Sequence, residues 1–126
     1  NIHLPTGTLT WCNAGHSAPP VLFTPQGRRE LYMAGTPVCC WNIPQAREDS
    51  TVLLPRGSKL FLFTDGLECL WGDLADHNSM YERLEDVLEG TAPGLRLREV
   101  WKNMHQSCGA PRDDAAMLLI CREDAS

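Results

Sequence analysis

The sequence predicts an α+β fold with a mainly antiparallel β-sheet. Three observations favour this class: short strand-like runs occupy the first half of the chain, two segments of helical periodicity follow, and an apolar run comes near the end. Strands and helices therefore form separate blocks, which argues against a parallel sheet made of alternating βαβ units. A length of 126 residues corresponds to one domain or to part of one.

The predicted strands lie on both sides of the helical segments. They cover residues 8–12, 21–24, 29–33, 51–54, 58–63 and 115–121. The second and third are predicted to form a hairpin across a Pro-Gln-Gly turn at residues 25–27. The fourth and fifth are predicted to form another hairpin, because Pro55 fixes the φ angle of a turn and Gly57 tolerates a positive φ.

Two amphipathic helices are predicted before the last strand. Apolar residues recur at intervals of three and four in residues 80–89 and again in residues 95–107, which is the spacing of one buried helix face. The segment Gly-Thr-Ala-Pro-Gly at residues 90–94 separates the two helices, because glycine and proline interrupt helical structure.

Composition and charge argue against several functional classes. The formal net charge is −5 and no run of Lys or Arg occurs, so the chain lacks the basic surface that binds nucleic acid or anionic membranes. No stretch has the apolar length of a membrane span, and the first residues do not resemble a signal peptide. The six cysteines form no Cys-x-x-Cys pair and no zinc-type spacing, so we expect buried free thiols. A cytoplasmic protein that acts on proteins or small molecules is predicted.

Carboxylates at two predicted strand ends form the candidate site. The apolar run at residues 60–63 stops at Thr64, Asp65 and Gly66, and Asp113 and Asp114 precede the last strand. Strand ends of this kind can converge in space, and the missing side chain of Gly66 lets another group or an ion approach closely. Mg²⁺ and Mn²⁺ prefer carboxylate oxygens, together with water and substrate phosphate. The sequence therefore favours metal-assisted phosphate chemistry.

Each of these residues also has a purely structural interpretation. Asp65 can end a strand in an Asx-type turn with Gly66, and the pair Asp113 and Asp114 can be a solvated turn before an edge strand. His16 is a candidate general acid near a phosphate, but a His that follows Gly in a loop is more often a hydrogen-bonded structural residue. Taken one residue at a time, both interpretations stay open.

Three segments, taken in order, resemble one family. They are residues 11–20 (WCNAGHSAPP), 62–68 (LFTDGLE) and 113–119 (DDAAMLL). Through them the chain resembles the C-terminal part of the SpoIIE-like (RsbU-like) branch of metal-dependent serine/threonine protein phosphatases, which share the type 2C phosphatase fold. The resemblance implies that residues 1–126 are the C-terminal part of a single phosphatase domain.

The resemblance also implies a site and a chemistry. It implies a β-sandwich flanked by helices, with a two-metal Mn²⁺ or Mg²⁺ centre at one edge of the sheets. A water that bridges the two ions attacks the phosphorus, so no protein nucleophile is required. Asp65 and Asp113 match metal-binding aspartates of the family, and Asp114 matches the position beside the second of them. Asp114, Gly66 and His16 are secondary candidates, and His16 falls in a family segment to which we assign a structural role.

The sequence departs from the family pattern in three places. Domains of this family begin with an additional half that supplies an Asp-Gly segment with the metal-bridging Asp, and no such segment precedes Trp11. The resemblance therefore implies an N-terminally truncated domain whose two-metal centre is incomplete and which is inactive alone. Ala116 replaces the usual Thr, and the Gly usual after the Pro-containing segment is replaced around residues 38–40.

Three functions are compatible with the sequence. The first is a phosphoserine or phosphothreonine protein phosphatase that acts in bacterial signalling on a phosphorylated regulatory protein of the anti-sigma-factor antagonist type. The second is a degenerate phosphatase-fold module that binds a partner protein without catalysis, a function that Ala116 favours. The third is a haloacid dehalogenase-like phosphotransferase, but its Asp-x-Asp pair is missing, since only Asp65 follows the strand. Formation of a homodimer is left open.

Overall fold

Strands, two helices and a final strand follow one another in the order that the sequence predicts. The computed structural model describes residues 1–32, 48–67, 77–90, 96–108 and 113–123. Its elements are β1 (Ile2–His3), β2 (Thr8–Trp11), β3 (Val21–Thr24), β4 (Gly27–Glu30), β5 (Ser50–Leu53), β6 (Lys59–Phe63), α1 (His77–Gly90), α2 (Arg96–Cys108) and β7 (Met117–Cys121). The chain divides into two compact units, one of Asn1–Leu62 with Ile120–Ser126 and one of Phe63–Leu119.

The strands form two sheets, which confirms the α+β class. One sheet has the order β1-β2-β5 and the other the order β4-β3-β6-β7. The registered strand pairs β1/β2, β2/β5, β3/β4 and β3/β6 are all antiparallel. No βαβ alternation occurs among the described elements, so the third function, the dehalogenase-like phosphotransferase, does not fit this fold.

The first unit is a β-sandwich whose core comes from both sheets. Its buried leucines pack in one cluster, which comprises Leu9, Leu22, Leu31, Leu54 and Leu60. Leu9 belongs to the first sheet, whereas Leu22 and Leu60 are neighbours in the second, so the two sheets meet through these side chains. Val21 and Phe61 point to the other side of the second sheet and are also fully buried. The centre of this sheet is therefore covered on both faces, which explains the continuous apolar runs in β3 and β6.

The predicted hairpin between residues 51–54 and 58–63 is wrong. β5 pairs with β2, where Val52 is opposite Leu9, and β6 pairs with β3, where Phe61 is opposite Val21. The chain turns tightly at residues 55–58, with Ser58 N donating to Pro55 O over 3.1 Å, but it crosses from one sheet to the other. The reason is the burial of leucines on both sides of the turn in one core cluster, so the two strands face each other through side chains and not through backbone hydrogen bonds.

The other predicted hairpin is present with a shifted second strand. β4 begins at Gly27 and not at residue 29, because Thr24 pairs directly with Gly27 across a two-residue turn. The Thr24 hydroxyl stabilises that turn: it donates to Gly27 O over 2.9 Å and accepts a hydrogen bond from Gln26 N over 3.2 Å. Because β4 is a polar edge strand, the apolar periodicity that marks a strand is missing from its sequence.

The second unit contains the two helices. Both predicted helices are confirmed, α1 starting at His77 instead of residue 80 and α2 ending at Cys108 instead of residue 107. Tyr81, Leu84 and Leu88 are the buried face of α1, and Val100 is buried on α2. Among the described helices, none is long and apolar enough to cross a membrane.

Candidate metal centre

The turn that follows β6 presents Asp65 to solvent. β6 ends at the buried Phe63, and Leu67 N donates to Thr64 O over 3.0 Å, which closes a short 3₁₀ turn. Leu67 is fully buried, whereas Asp65 is exposed. Buried apolar side chains on both sides therefore fix the turn, and burying each of them stabilises the fold by roughly 1.5–3 kcal/mol. The carboxylate of Asp65 is held at a defined place without being covered.

The segment before β7 is hydrogen-bonded to this turn. Thr64 N donates to Ala116 O over 3.0 Å, and Ala116 N donates to the Thr64 hydroxyl over 2.9 Å. The same hydroxyl donates to Asp114 O over 3.2 Å. Residues that are about fifty positions apart in sequence thus meet at one place, which we call the acidic junction (residues 64–66 and 113–116).

Gly66 allows the two segments of the acidic junction to approach this closely. A Cβ atom at position 66 would lie 2.2 Å from Asp114 O and 2.7 Å from the Asp114 carbonyl carbon. Gly66 is not one of the described glycines with a positive φ. Glycine is therefore required here by the neighbouring backbone and not by an unusual conformation. The group that approaches Gly66 is the chain segment that carries the second set of carboxylates.

Three carboxylates of the acidic junction are exposed. They are the side chains of Asp65, Asp113 and Asp114. Asp113 Oδ1 accepts a hydrogen bond from Asp114 N over 2.8 Å, which orients the Asp113 carboxylate against its own chain. Oxygen donors of this type, on a backbone fixed by buried residues, suit Mg²⁺ or Mn²⁺. In the parts of the chain that the structure describes, no three His, Cys, Asp or Glu side chains form a metal-binding group. The described carboxylates therefore do not form a complete metal site by themselves.

His16 lies in the first unit, in a loop that Asn13 organises. Asn13 Oδ1 accepts hydrogen bonds from Gly15 N over 2.9 Å and from His16 N over 2.7 Å, and Asn13 Nδ2 donates to His16 O over 2.9 Å. Gly15 has a φ of +96°, which glycine adopts without strain. The Asn13 side chain thus holds the backbone of His16, whose own side chain is exposed, so both interpretations of His16 stay predictions.

Several sequence expectations fall outside the described residues or need correction. Residues 38–40, the altered position after the Pro-containing segment, are not among the described residues. Cys12 is an exposed free thiol and Cys121 is half-buried, so the expectation of buried thiols is wrong for Cys12.

Thr64 was not predicted as a functional residue. No local pattern marks it, because the segment that its hydroxyl contacts lies about fifty positions further along the chain.

Several solved structures share the fold of this chain, among them a phosphatase domain. The phosphatase domain of the cell fate determinant SpoIIE from Bacillus subtilis, in a manganese-presoaked form, matches with a TM-score of 0.74 at 13% identity, over 100% of this chain and 56% of that one. The RsbU and RsbW domains of Rv1364c from Mycobacterium tuberculosis give a TM-score of 0.78 at 20% identity, and the match covers 97% of this chain and 34% of that one. RsbX in complex with magnesium gives a TM-score of 0.59 at 21% identity, and the match covers 94% of this chain and 51% of that one.

The matched domain of the Bacillus subtilis protein is a PP2C phosphatase domain. These matches therefore confirm the predicted type 2C phosphatase-like sandwich fold. The chain spans between 34% and 56% of the length of the three structures compared above. Comparison with curated protein sequences gave no match. The family model for stage II sporulation protein E (SpoIIE) matches residues 1–123.

Proposed function

Because the chain belongs to the SpoIIE family, we propose that it forms the C-terminal part of a metal-dependent phosphoserine/phosphothreonine protein phosphatase domain. In this proposal Asp65 and Asp113 bind Mn²⁺ or Mg²⁺, and Asp114 is a secondary candidate. The observation that supports it best is the acidic junction, where Thr64 hydrogen-bonds to the segment of Asp114 and Ala116.

The acidic junction keeps its carboxylates in place while leaving them accessible. Its hydrogen bonds use backbone groups and one hydroxyl, so they do not occupy the carboxylates of Asp65 and Asp114. A divalent cation bound there would lower the pKa of a bound water and neutralise phosphoryl oxygens. Asp65 and Asp113 would hold the cation, and Gly66 would keep their segments close. No side chain of this chain has to act as a nucleophile.

The proposed substrate is a phosphorylated regulatory protein of the anti-sigma-factor antagonist type, in bacterial signalling and in the cytoplasm. Support comes from the RsbU and RsbW domains that share the fold. A net charge of −5 agrees with a protein substrate and not with nucleic acid. Neighbouring structures prepared with manganese or magnesium support a divalent cation.

A catalytically degenerate module that binds a partner protein is the second candidate. Ala116, in place of the usual Thr, and the incomplete ligand set among the described residues favour it. However, Ala116 contributes its backbone N and O to the acidic junction, so the loss of a threonine side chain there leaves these hydrogen bonds intact. For this reason we rank the enzyme first.

The proposal is tested by Mn²⁺-dependent hydrolysis of a phosphoserine peptide, with the full-length protein and with this chain alone. We expect Asp65→Asn and Asp113→Asn each to lower the rate by more than about 100-fold without unfolding the protein, because each removes an anionic ligand. Asp86→Asn is the matched control, since Asp86 is an exposed aspartate on α1. Wild-type rates in both variants would overturn the assignment. A folded, inactive wild-type protein would favour the partner-binding module.

A further inference from the structure

The Thr64 hydroxyl is hydrogen-bonded on two sides at the acidic junction. It accepts a hydrogen bond from Ala116 N over 2.9 Å and donates one to Asp114 O over 3.2 Å. The backbone of the same residue adds a bond from Thr64 N to Ala116 O and one from Leu67 N to Thr64 O, each 3.0 Å long. Thr64 thus contacts the turn that carries Asp65 and the segment that carries the other carboxylates.

These contacts constrain the spacing of the carboxylates. The bond from Leu67 N fixes the turn around Asp65, and the bond to Asp114 O fixes the residue directly after Asp113. β7 is hydrogen-bonded beside β6, and the bond from Thr64 N to Ala116 O lies at the end of that pairing. The two hydroxyl bonds, one on each side of Ala115, extend the contact beyond the strand to Asp114 O, next to Asp113.

We infer that Thr64 is a positioning residue for divalent cation binding, and that its hydroxyl sets the spacing between the carboxylates of Asp65 and Asp113 without contacting the cation. This inference rests on the proposed function. Residues that orient metal ligands from outside the coordination sphere change metal affinity by about 10–100-fold when they are replaced. Valine has the shape of threonine but cannot make either hydroxyl bond, so Thr64→Val removes this effect selectively.

Thr24 provides a matched control, because it makes the same pair of bonds at a turn without carboxylates. Its hydroxyl donates to Gly27 O over 2.9 Å and accepts a hydrogen bond from Gln26 N over 3.2 Å. Thr24→Val therefore loses one donor and one acceptor contact at a strand end, as Thr64→Val does. A purely structural role of Thr64 predicts the same consequences for both variants.

The experiment measures Mn²⁺ binding by isothermal titration calorimetry and thermal unfolding by circular dichroism, with the full-length protein. We expect Thr64→Val to raise the Kd for Mn²⁺ by about tenfold or more, Thr64→Ser to restore most of the affinity, and Thr24→Val to leave the Kd unchanged. Both valine variants should lower the Tm by similar amounts. Equal Mn²⁺ affinity in Thr64→Val and wild type, or equal losses in both valine variants, would overturn the inference.

Substitutions of Thr64 by serine and alanine, and of Asp65 by asparagine, complete the test. If Thr64→Val does not fold, the pair Thr64→Ser and Thr64→Ala isolates the hydroxyl, and equal Mn²⁺ affinity in that pair would overturn the inference. Asp65→Asn separates the inference from the proposed function. Mn²⁺ binding that does not depend on Asp65 would contradict the proposed function itself, whereas Asp65-dependent binding that is unaffected by Thr64→Val would contradict the inference alone.

Discussion

Two close glycine contacts lie at the two ends of β7, and the charged side chains beside them differ in what they bond to. Before β7, in the second unit, Gly66 lies against the Asp114 backbone at the acidic junction. After β7, in the first unit, Gly7 lies against the guanidinium of Arg122, and a Cβ at position 7 would come 1.9 Å from Arg122 Nη1. We call this second contact the arginine junction (residues 6–7, 54 and 122).

At the arginine junction the charged group adds its contacts to a backbone bond, in which Leu54 N donates to Gly7 O over 2.9 Å. Arg122 Nη1 donates to Thr6 O over 2.9 Å and also to Leu54 O. At the acidic junction the closing bonds come from backbone groups and a hydroxyl, and the charged side chains remain exposed. A close glycine contact is therefore not by itself a sign of function. The two junctions differ in whether the nearby charges bond within the fold or remain exposed.

The largest effect should come from Gly66→Ala. A Cβ there would collide with a backbone carbonyl that cannot move without moving its whole segment, so we expect a loss of about 3 kcal/mol of unfolding free energy. Mn²⁺ binding should weaken as well, because the carboxylates would separate. Urea denaturation and Mn²⁺ titration check both effects. If Gly66→Ala were as stable as wild type, the acidic junction would not be the tight contact described here.

A smaller effect is expected from Gly7→Ala at the arginine junction. Gly7 has a φ of +73°, which costs an alanine about 1–2 kcal/mol, and the colliding atoms belong to the end of a flexible side chain. Urea denaturation should show this loss, while Mn²⁺ affinity stays at the wild-type value. Gly7→Asn should cost less than Gly7→Ala, because asparagine tolerates this conformation better. A loss of Mn²⁺ binding in Gly7→Ala would remove the functional difference between the junctions.

The smallest of these effects should follow from Arg122→Met. Methionine keeps the length of the apolar stem but loses the hydrogen bonds to Thr6 O and Leu54 O, and we expect about 1 kcal/mol of destabilisation. Phosphatase activity and Mn²⁺ affinity should not change. A shift in thermal unfolding without a change in metal titration would support a purely structural role of Arg122. If Arg122→Met altered metal binding as strongly as Asp65→Asn does, the two junctions would not differ in function.

The sequence predicts individual elements better than their pairing. β3 occurs at the predicted residues 21–24, because a continuous apolar run bounded by prolines has few alternatives. The hairpin across Pro55 and Gly57 was wrong because a tight turn has the same local chemistry whether the chain returns beside itself or crosses to a second sheet. Only the burial of leucines before and after it in one cluster distinguishes the two cases, and that is a tertiary property.

Some residues of the candidate site could be predicted from the sequence and others could not. Asp65 and Asp113 could be selected from the sequence because each adjoins an apolar strand and because of the order of the three segments. Thr64 could not, since the partners of its hydroxyl are 50 and 52 positions further along the chain. Contacts at that separation depend on how the strands are arranged, which local periodicity does not encode.

The long sequence separation within the acidic junction has a consequence for biosynthesis. A ribosome that has just released residues 64–66 still has to add about fifty residues before Asp114 can reach the Thr64 hydroxyl. Chains grow at roughly 5–20 residues per second, so seconds pass before the segment of Asp113 and Asp114 can join the turn that carries Asp65. The carboxylates are therefore brought together late, and a chain interrupted during translation before residue 113 would lack the acidic junction.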